Sequence, residues 1–260
     1  MPRVLTKAFK ALWLRFRPPR RHRCVLCGRT CGGYLPYRGG WADSPRAMRA
    51  LGVVGSDLGN FECPWCGAHD RERHLLLYMR AAGLWERVPD LDILHFAPER
   101  RLSRLIRQQG TRSYRQVDLI PAEPDIDRMD IQAMELPDAS VDLLIANHVL
   151  EHVDDDRQAL AEIGRVLRPS GHAILQVPYC PKLTATLSDP GIDDPRSRRE
   201  MYGQEDHVRL YGENVFGWFA VASGLEYVGG SHVDWLPEAD PEKLGVNRAE
   251  PFFLFRKPTG

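Results

Sequence analysis

Between residues 91 and 177 short apolar runs alternate with amphipathic stretches. Leu91–Phe96, Tyr114–Leu119, Ile126–Ile131, Val141–Ala146 and His172–Val177 each have the length and apolar content of a buried strand. Pro98–Gln109 reads as a basic helix stopped by Gly110, a residue that tolerates left-handed backbone. Asp154–Leu167 reads as a second helix with carboxylates in its first turn, where the helix dipole favours them. A helix over Glu72–Trp85 precedes these elements; a helix over Glu213–Ser223 and strands over Leu225–Val228 and Phe252–Phe255 follow them. Strands alternating with helices through short connectors predict a parallel sheet covered on both faces. Ligands of such sheets lie beyond the carboxyl ends of the strands. Pro178–Arg209 has no clear period and predicts a long irregular loop, a feature more often functional than structural.

The amino-terminal part follows other rules. Val4, Leu5, Ala8, Leu12 and Phe16 recur at helical spacing, and Pro18-Pro19 ends that helix. Between Met1 and Trp41 there are ten Lys or Arg residues and no carboxylate, although the 260-residue chain has a formal net charge of zero. This predicts a basic amphipathic arm over residues 1–21, suited to peripheral contact with anionic lipid. Residues 22–72 are glycine-rich and hold Cys24-Val25-Leu26-Cys27-Gly28 and Cys63-Pro64-Trp65-Cys66-Gly67. Two such knuckles turn four thiolates toward one ion, so Cys24, Cys27, Cys63 and Cys66 are the expected ligands of a structural Zn2+. Cys31 and His69 lie near enough in sequence to replace one of them, and Cys180 reads as a free thiol. No secretory signal or bilayer-spanning run is visible, which points to a reduced, cytoplasmic setting, membrane-associated if the arm binds lipid.

The segment Asp142-Leu143-Leu144-Ile145-Ala146-Asn147-His148-Val149-Leu150-Glu151-His152, followed by Arg165-Val166-Leu167-Arg168-Pro169-Ser170-Gly171, resembles the class I S-adenosylmethionine (SAM) methyltransferases. Cys63-Pro64-Trp65-Cys66-Gly67, Leu94-His95-Phe96-Ala97-Pro98-Glu99 and Gly203-Gln204-Glu205-Asp206-His207-Val208-Arg209 resemble a bacterial group of these enzymes with an amino-terminal zinc-knuckle segment. The resemblance covers roughly residues 60–230. It implies an α/β fold, a Rossmann-like, mostly parallel seven-stranded sheet over residues 73–260, behind the small zinc-binding module. It also implies SAM as cofactor. The glycine-rich first turn of the family is here His95-Phe96-Ala97-Pro98-Glu99. By the same resemblance Asp118 would accept from the ribose hydroxyls, Asp130 and Ile131 would meet the adenine, and Asn147 and His148 would face the methionine end and the reactive methyl.

Methyl transfer from a sulfonium is an in-line displacement, and a base beside the acceptor assists when the nucleophile is a hydroxyl. His148, His152 and His207 are the candidate catalytic residues, with Asp206 and Tyr211 as partners. For His152 a hydrogen-bonding role at a helix start competes with catalysis, and His172 and His232 read as peripheral. Trp218 and Phe219 read as core, and Arg196, Arg198 and Arg199 as a solvated cluster. The reading that follows is methyl transfer to an oxygen of a small-molecule or glycan substrate. A zinc-ribbon RNA methyltransferase and a non-catalytic adaptor on a degenerate methyltransferase fold are the alternatives. Net negative charge outside the arm and the lack of interleaved aromatic and basic residues disfavour nucleic acid.

Overall fold

The computed structural model describes residues 2–259, and side chains for residues 7–259. Seven strands form the central sheet: β1 Asp92–Phe96, β2 Ser113–Asp118, β3 Asp127–Arg128, β4 Val141–Ala146, β5 Leu167–Ile174, β6 Glu226–Tyr227 and β7 Leu254–Arg256. Their order is β3-β2-β1-β4-β5-β7-β6. The first five run parallel, and β7 pairs antiparallel with both β5 and β6. The sheet is the expected Rossmann-like one. The central strands carry apolar side chains on both faces because both are covered: Leu94, Leu144 and Ala173 sit in one buried cluster, Ile93, Leu143 and Ile174 in the other.

The longer helices are α1 Pro2–Phe16, α2 Asp70–Ala81, α3 Arg100–Gln109, α4 Asp156–Val166, α5 Pro195–Tyr202 and α6 Val215–Ser223. The helix expected over Glu72–Trp85 is two pieces, because Gly83 (φ 67°) breaks it before a short turn at Leu84–Arg87. Ile126–Ile131 contributes only the two-residue β3. The fifth strand begins earlier than expected, at Leu167, and shifts register before His172 to accommodate Pro169-Ser170-Gly171. Pro178–Arg209 is not irregular throughout. It contains α5, capped by the Asp194 carboxylate accepting from Arg196 and Ser197 amides, with Pro195 opening the helix. No described helix is long and apolar enough to cross a membrane.

The arm is helical as expected, over Pro2–Phe16. Leu12 and Phe16 are largely exposed, with Phe9 and Trp13, while Leu14 is buried against Gly33. Arg15 Nε donates to the Pro64 carbonyl and Lys7 pairs with Glu62, so polar contacts orient the helix. The side chains of Val4 and Leu5 lie outside the described residues.

Arg73 joins the cysteine-rich module to the sheet domain. Its guanidinium, fully buried, donates to the carbonyls of Asn60, Phe61 and Ala68 in the module and of Leu244 and Gly245 beyond the sheet. The Tyr34 ring lies 4.0 Å from that guanidinium. A second seam is the backbone pair Val54–Tyr179, bonded in both directions at 2.8 and 2.9 Å.

Candidate active site

The four knuckle cysteines converge. All their sulfurs lie within 4.8 Å of one another, with Cys24 Sγ to Cys66 Sγ at 3.8 Å and Cys27 Sγ to Cys63 Sγ at 4.0 Å. Zn–S bonds of ~2.3 Å in a tetrahedron give an S–S edge of about 3.8 Å, so the residues fit zinc. Gly28 and Gly67, both left-handed, donate their amides to the Cys24 and Cys63 carbonyls and close the two knuckles. Neither Cys31 nor His69 belongs to the cluster. Cys31 is buried beside it, and the His69 ring stacks on Phe61 at 4.3 Å. Cys180 is a free, buried thiol.

At the switch point of the sheet, the ends of β1 and β4 are tied by one carboxylate. Glu99 accepts from Asn147 Nδ2 at 2.5 Å and meets His95 Nε2 at 3.1 Å; His95 Nδ1 meets the Tyr114 hydroxyl at 2.8 Å. Burial alone would raise the Glu99 pKa, but the His95 hydrogen bond and charge outweigh it and hold the group below the usual carboxylate range. Ala97, exposed, has φ 45°. The turn therefore adopts the left-handed geometry that glycine supplies elsewhere, at a cost on the order of 1 kcal/mol. The α3 amino terminus offers less than expected. Glu72 of α2, buried, accepts from the Arg101 and Leu102 amides at 2.8 and 3.0 Å, so those donors are not left for a ligand.

Asp118 Oδ1 accepts from the Ile120 amide, and Leu119 and Ile120 beside it are exposed. Its other oxygen has no partner among the described residues. Asp130 caps its own turn through the Gln132 amide and side chain, and Ile131 packs into the core. Phe96 is also core. A free carboxylate oxygen, an open apolar rim and a turn in glycine-like geometry fit a nucleoside cofactor.

Beyond β4 lies a cavity of about 160 Å3. Its walls come from the cysteine-rich module (Trp41, Met48), from the segments after β4 and β5 (His148, Pro178) and from the end of α5 and the loop after it (Tyr202, His207). Arg71 also lines it and pairs with no carboxylate among the described residues. Arg209, buried, donates to the carbonyls of Leu150, Val153 and Asp154 and so brings His207 beside Glu151.

Behind this wall runs a buried file of alternating imidazoles and carboxylates. His232 Nδ1 meets His74 Nε2 at 2.9 Å, His74 Nδ1 meets Glu250 Oε2 at 2.9 Å, and Glu250 Oε1 lies 3.7 Å from His148 Nε2. His148 Nδ1 then lies 3.3 Å from Glu151 Oε1. Burial and Arg71 oppose a charge on His148, but the Glu151 and Glu250 carboxylates prevail and raise its pKa. Burial lowers that of His207, leaving a neutral ring with a free lone pair. His148 takes φ 57°, a left-handed value that non-glycine residues adopt chiefly where the surroundings hold them.

Residues 100–175 match the model of a family described as a methyltransferase domain. An uncharacterized 37.1 kDa protein in transposon TN4556 of Streptomyces fradiae is 39% identical over 75 residues, 29% of this chain and 21% of that one. A "Probable S-adenosylmethionine-dependent methyltransferase" of Mycolicibacterium smegmatis is 39% identical over 71 residues, 27% of this chain and 26% of that one. The chain spans about a fifth to a quarter of the length of these relatives. Among solved structures, a SAM-dependent methyltransferase of Mesorhizobium loti aligns with a TM-score of 0.47 at 15% identity, covering 68% of this chain and 96% of that one.

The matched stretch runs from α3 through β5 and leaves out β1 and the turn after it. Of the residues expected to be catalytic, His148 and His207 line the cavity, while His152 does not; its ring lies 4.7 Å from that of His207 and its Nδ1 3.3 Å from Asp206. Tyr211 instead bonds Leu150 and Asp156 and braces the loop. His232 is not peripheral; it is 2% exposed and starts the buried file. Arg71, His74 and Glu250 are groups that the pattern of the sequence did not single out. Asp70-Arg71 directly follows the second knuckle, and that position at the start of α2 is the one local signal for Arg71.

Proposed function

We propose that the protein is a SAM-dependent methyltransferase that transfers a methyl group to an oxygen of a small-molecule or saccharide acceptor. The observation that carries this reading is the Glu99–Asn147 tie at the switch point, next to a cavity lined by His148 and His207. SAM supplies an electrophilic methyl when bound. His95, Ala97, Pro98 and Glu99 would hold its amino-acid end, Asp118 its ribose, and Asp130 and Ile131 its base, with Asn147 closing the site.

His207 is the better proton acceptor of the two cavity histidines, because burial keeps it neutral while neighbouring carboxylates favour the charged form of His148. Arg71 suits an anionic or oxygen-rich group on the acceptor. The cysteine-rich module then serves as one wall of the acceptor pocket, with its zinc holding that wall in shape. The arm extends the reading: Phe9, Leu12, Trp13 and Phe16, exposed on a basic helix, support peripheral attachment to an anionic membrane.

The test is transfer of isotopically labelled methyl from SAM to a panel of hydroxylated small molecules and saccharides. Label recovered as an O-methyl ether, and lost in His207→Ala, is the expected result. Label appearing only on nitrogen would refute the oxygen assignment.

A further inference from the structure

We propose that Glu151, His152 and His207 form a second divalent-cation site in the cavity wall, taking an oxygen of the acceptor as its exchangeable ligand. Each residue offers one donor atom, and these atoms lie within 4.8 Å of one another. Glu151 is 1% exposed; its Oε1 lies 3.3 Å from His148 Nδ1 without hydrogen-bond geometry, and its Oε2 has no partner. His207 is 2% exposed, and its Nε2 likewise has none. Leaving such groups unpartnered costs on the order of 1–3 kcal/mol each, so the gap calls for an occupant.

The tautomer of His207 narrows the choice of occupant. Its Nδ1 lies 3.0 Å from the Tyr202 carbonyl, which can only accept, so Nδ1 carries the proton. The neutral ring then aims a lone pair from Nε2 at the Glu151 carboxylate, 4.0 Å away. Two electron-rich atoms facing each other at that distance neither bond nor share a proton. Both are within reach of one cation between them, since metal–nitrogen and metal–oxygen bonds are each ~2.0–2.2 Å. The surroundings have the form of a metal site's outer shell. A backbone carbonyl fixes the His207 ring, and Asp206 faces the His152 Nδ1.

Two imidazoles with one carboxylate suit Mn2+, Fe2+, Co2+ or Zn2+ rather than Ca2+. Three protein donors leave coordination positions open, and His207 also lines the cavity, so those positions meet whatever binds there. A hydroxyl bound to such a cation loses its proton to solvent more readily, and while the cation is bound His207 Nε2 is its ligand rather than the proton acceptor. That part of the inference, which assigns hydroxyl-bearing acceptors to the site, rests on the methyl-transfer reading; the cation site itself does not. An ordered water is the other occupant that the gap admits.

Full-length protein with zinc in its four-cysteine site would be titrated with Mn2+, following free Mn2+ by electron paramagnetic resonance, and with Co2+ by visible absorption. One further Mn2+ per chain is expected, with a Co2+ spectrum of nitrogen and oxygen ligands lacking thiolate charge-transfer bands. Glu151→Gln should weaken Mn2+ binding about tenfold or more with zinc content unchanged. His152→Asn, at the exposed edge of the cluster, provides the same readout should Glu151→Gln fail to fold. No binding beyond the zinc, or binding unchanged in either folded variant, would overturn the cation site. SAM titration of the same samples separates the two claims: cation bound without SAM refutes methyl transfer alone, and SAM bound without cation refutes the cation site alone.

Discussion

Arg73→Ala should cost the protein a large share of its stability. The Arg73 side chain is fully buried and donates to five carbonyls in three separate segments, three of them in the cysteine-rich module and two at Leu244–Gly245. A hydrogen bond from a charged donor contributes ~1.5–3 kcal/mol, and each carbonyl stranded without water loses ~1–3 kcal/mol. Those values are not additive, because the emptied space admits water that satisfies some of the carbonyls. Removing one partner from a buried charged network costs ~3–5 kcal/mol, which is the expected loss here. At ~2–4 °C per kcal/mol for a chain of this size, Tm should fall by roughly 6–20 °C. Arg73→Lys, which keeps the charge but lacks the planar fork, should fall between the variant and the parent. Urea denaturation followed by tryptophan fluorescence measures it, with exposed Arg104→Ala as control. A loss under about 1 kcal/mol would refute the claim that Arg73 couples module and sheet.

Asp70 predicts a pH dependence. Burial pushes its carboxyl up to about 7, against the Arg73 charge and an amide hydrogen bond that lower it. A raised folded pKa means the folded chain binds the extra proton, so stability is fully present below about pH 4 and declines up to about pH 7. The slope in that window is ~1.4 kcal/mol per pH unit, and Asp70→Asn should flatten it in chemical denaturation at stepped pH. Cys63→Ser, or mercurial release, should remove one zinc per chain by colorimetric titration and lower Tm by at least about 10 °C. Vesicles containing anionic phospholipid should sediment the parent protein, and Phe9→Ser with Trp13→Ser should abolish this; equal binding to neutral vesicles would argue against the basic arm as the contact.

What the sequence made legible was local. Val141–Ala146 matches β4 residue for residue, because the apolar run Leu143–Ala146 ends sharply at the polar pair Asn147-His148. The knuckles were legible because the residue pairs and their glycines lie within five positions of each other. The α5 helix escaped because PRSRREMY lacks an apolar stripe, although Asp194-Pro195 and Gly203 are cap signals at its two ends. The arm was read as an amphipathic helix, and the helix is there; Leu14, outside the apolar set that the spacing picked out, is the residue that turns inward. The buried file was beyond sequence reasoning. His74 and Glu250 are 176 positions apart, and His74 and His232 are 158 apart, so only the folded chain juxtaposes them. His148 and His207 were chosen from their segments, but Arg209, binding the Leu150–Asp154 loop, is what unites them.

The central claim is that the rim around Glu99, Asp118 and Asn147 seats SAM. Isothermal titration of the zinc-loaded protein with SAM tests it most directly. One site per chain is expected, with affinity at least about tenfold weaker in Asp118→Ala, since the ribose loses a charge-assisted acceptor worth ~1.5–3 kcal/mol. A folded, zinc-loaded protein that gives no heat with SAM, or that binds it unchanged after Asp118→Ala and Glu99→Ala, would contradict the account.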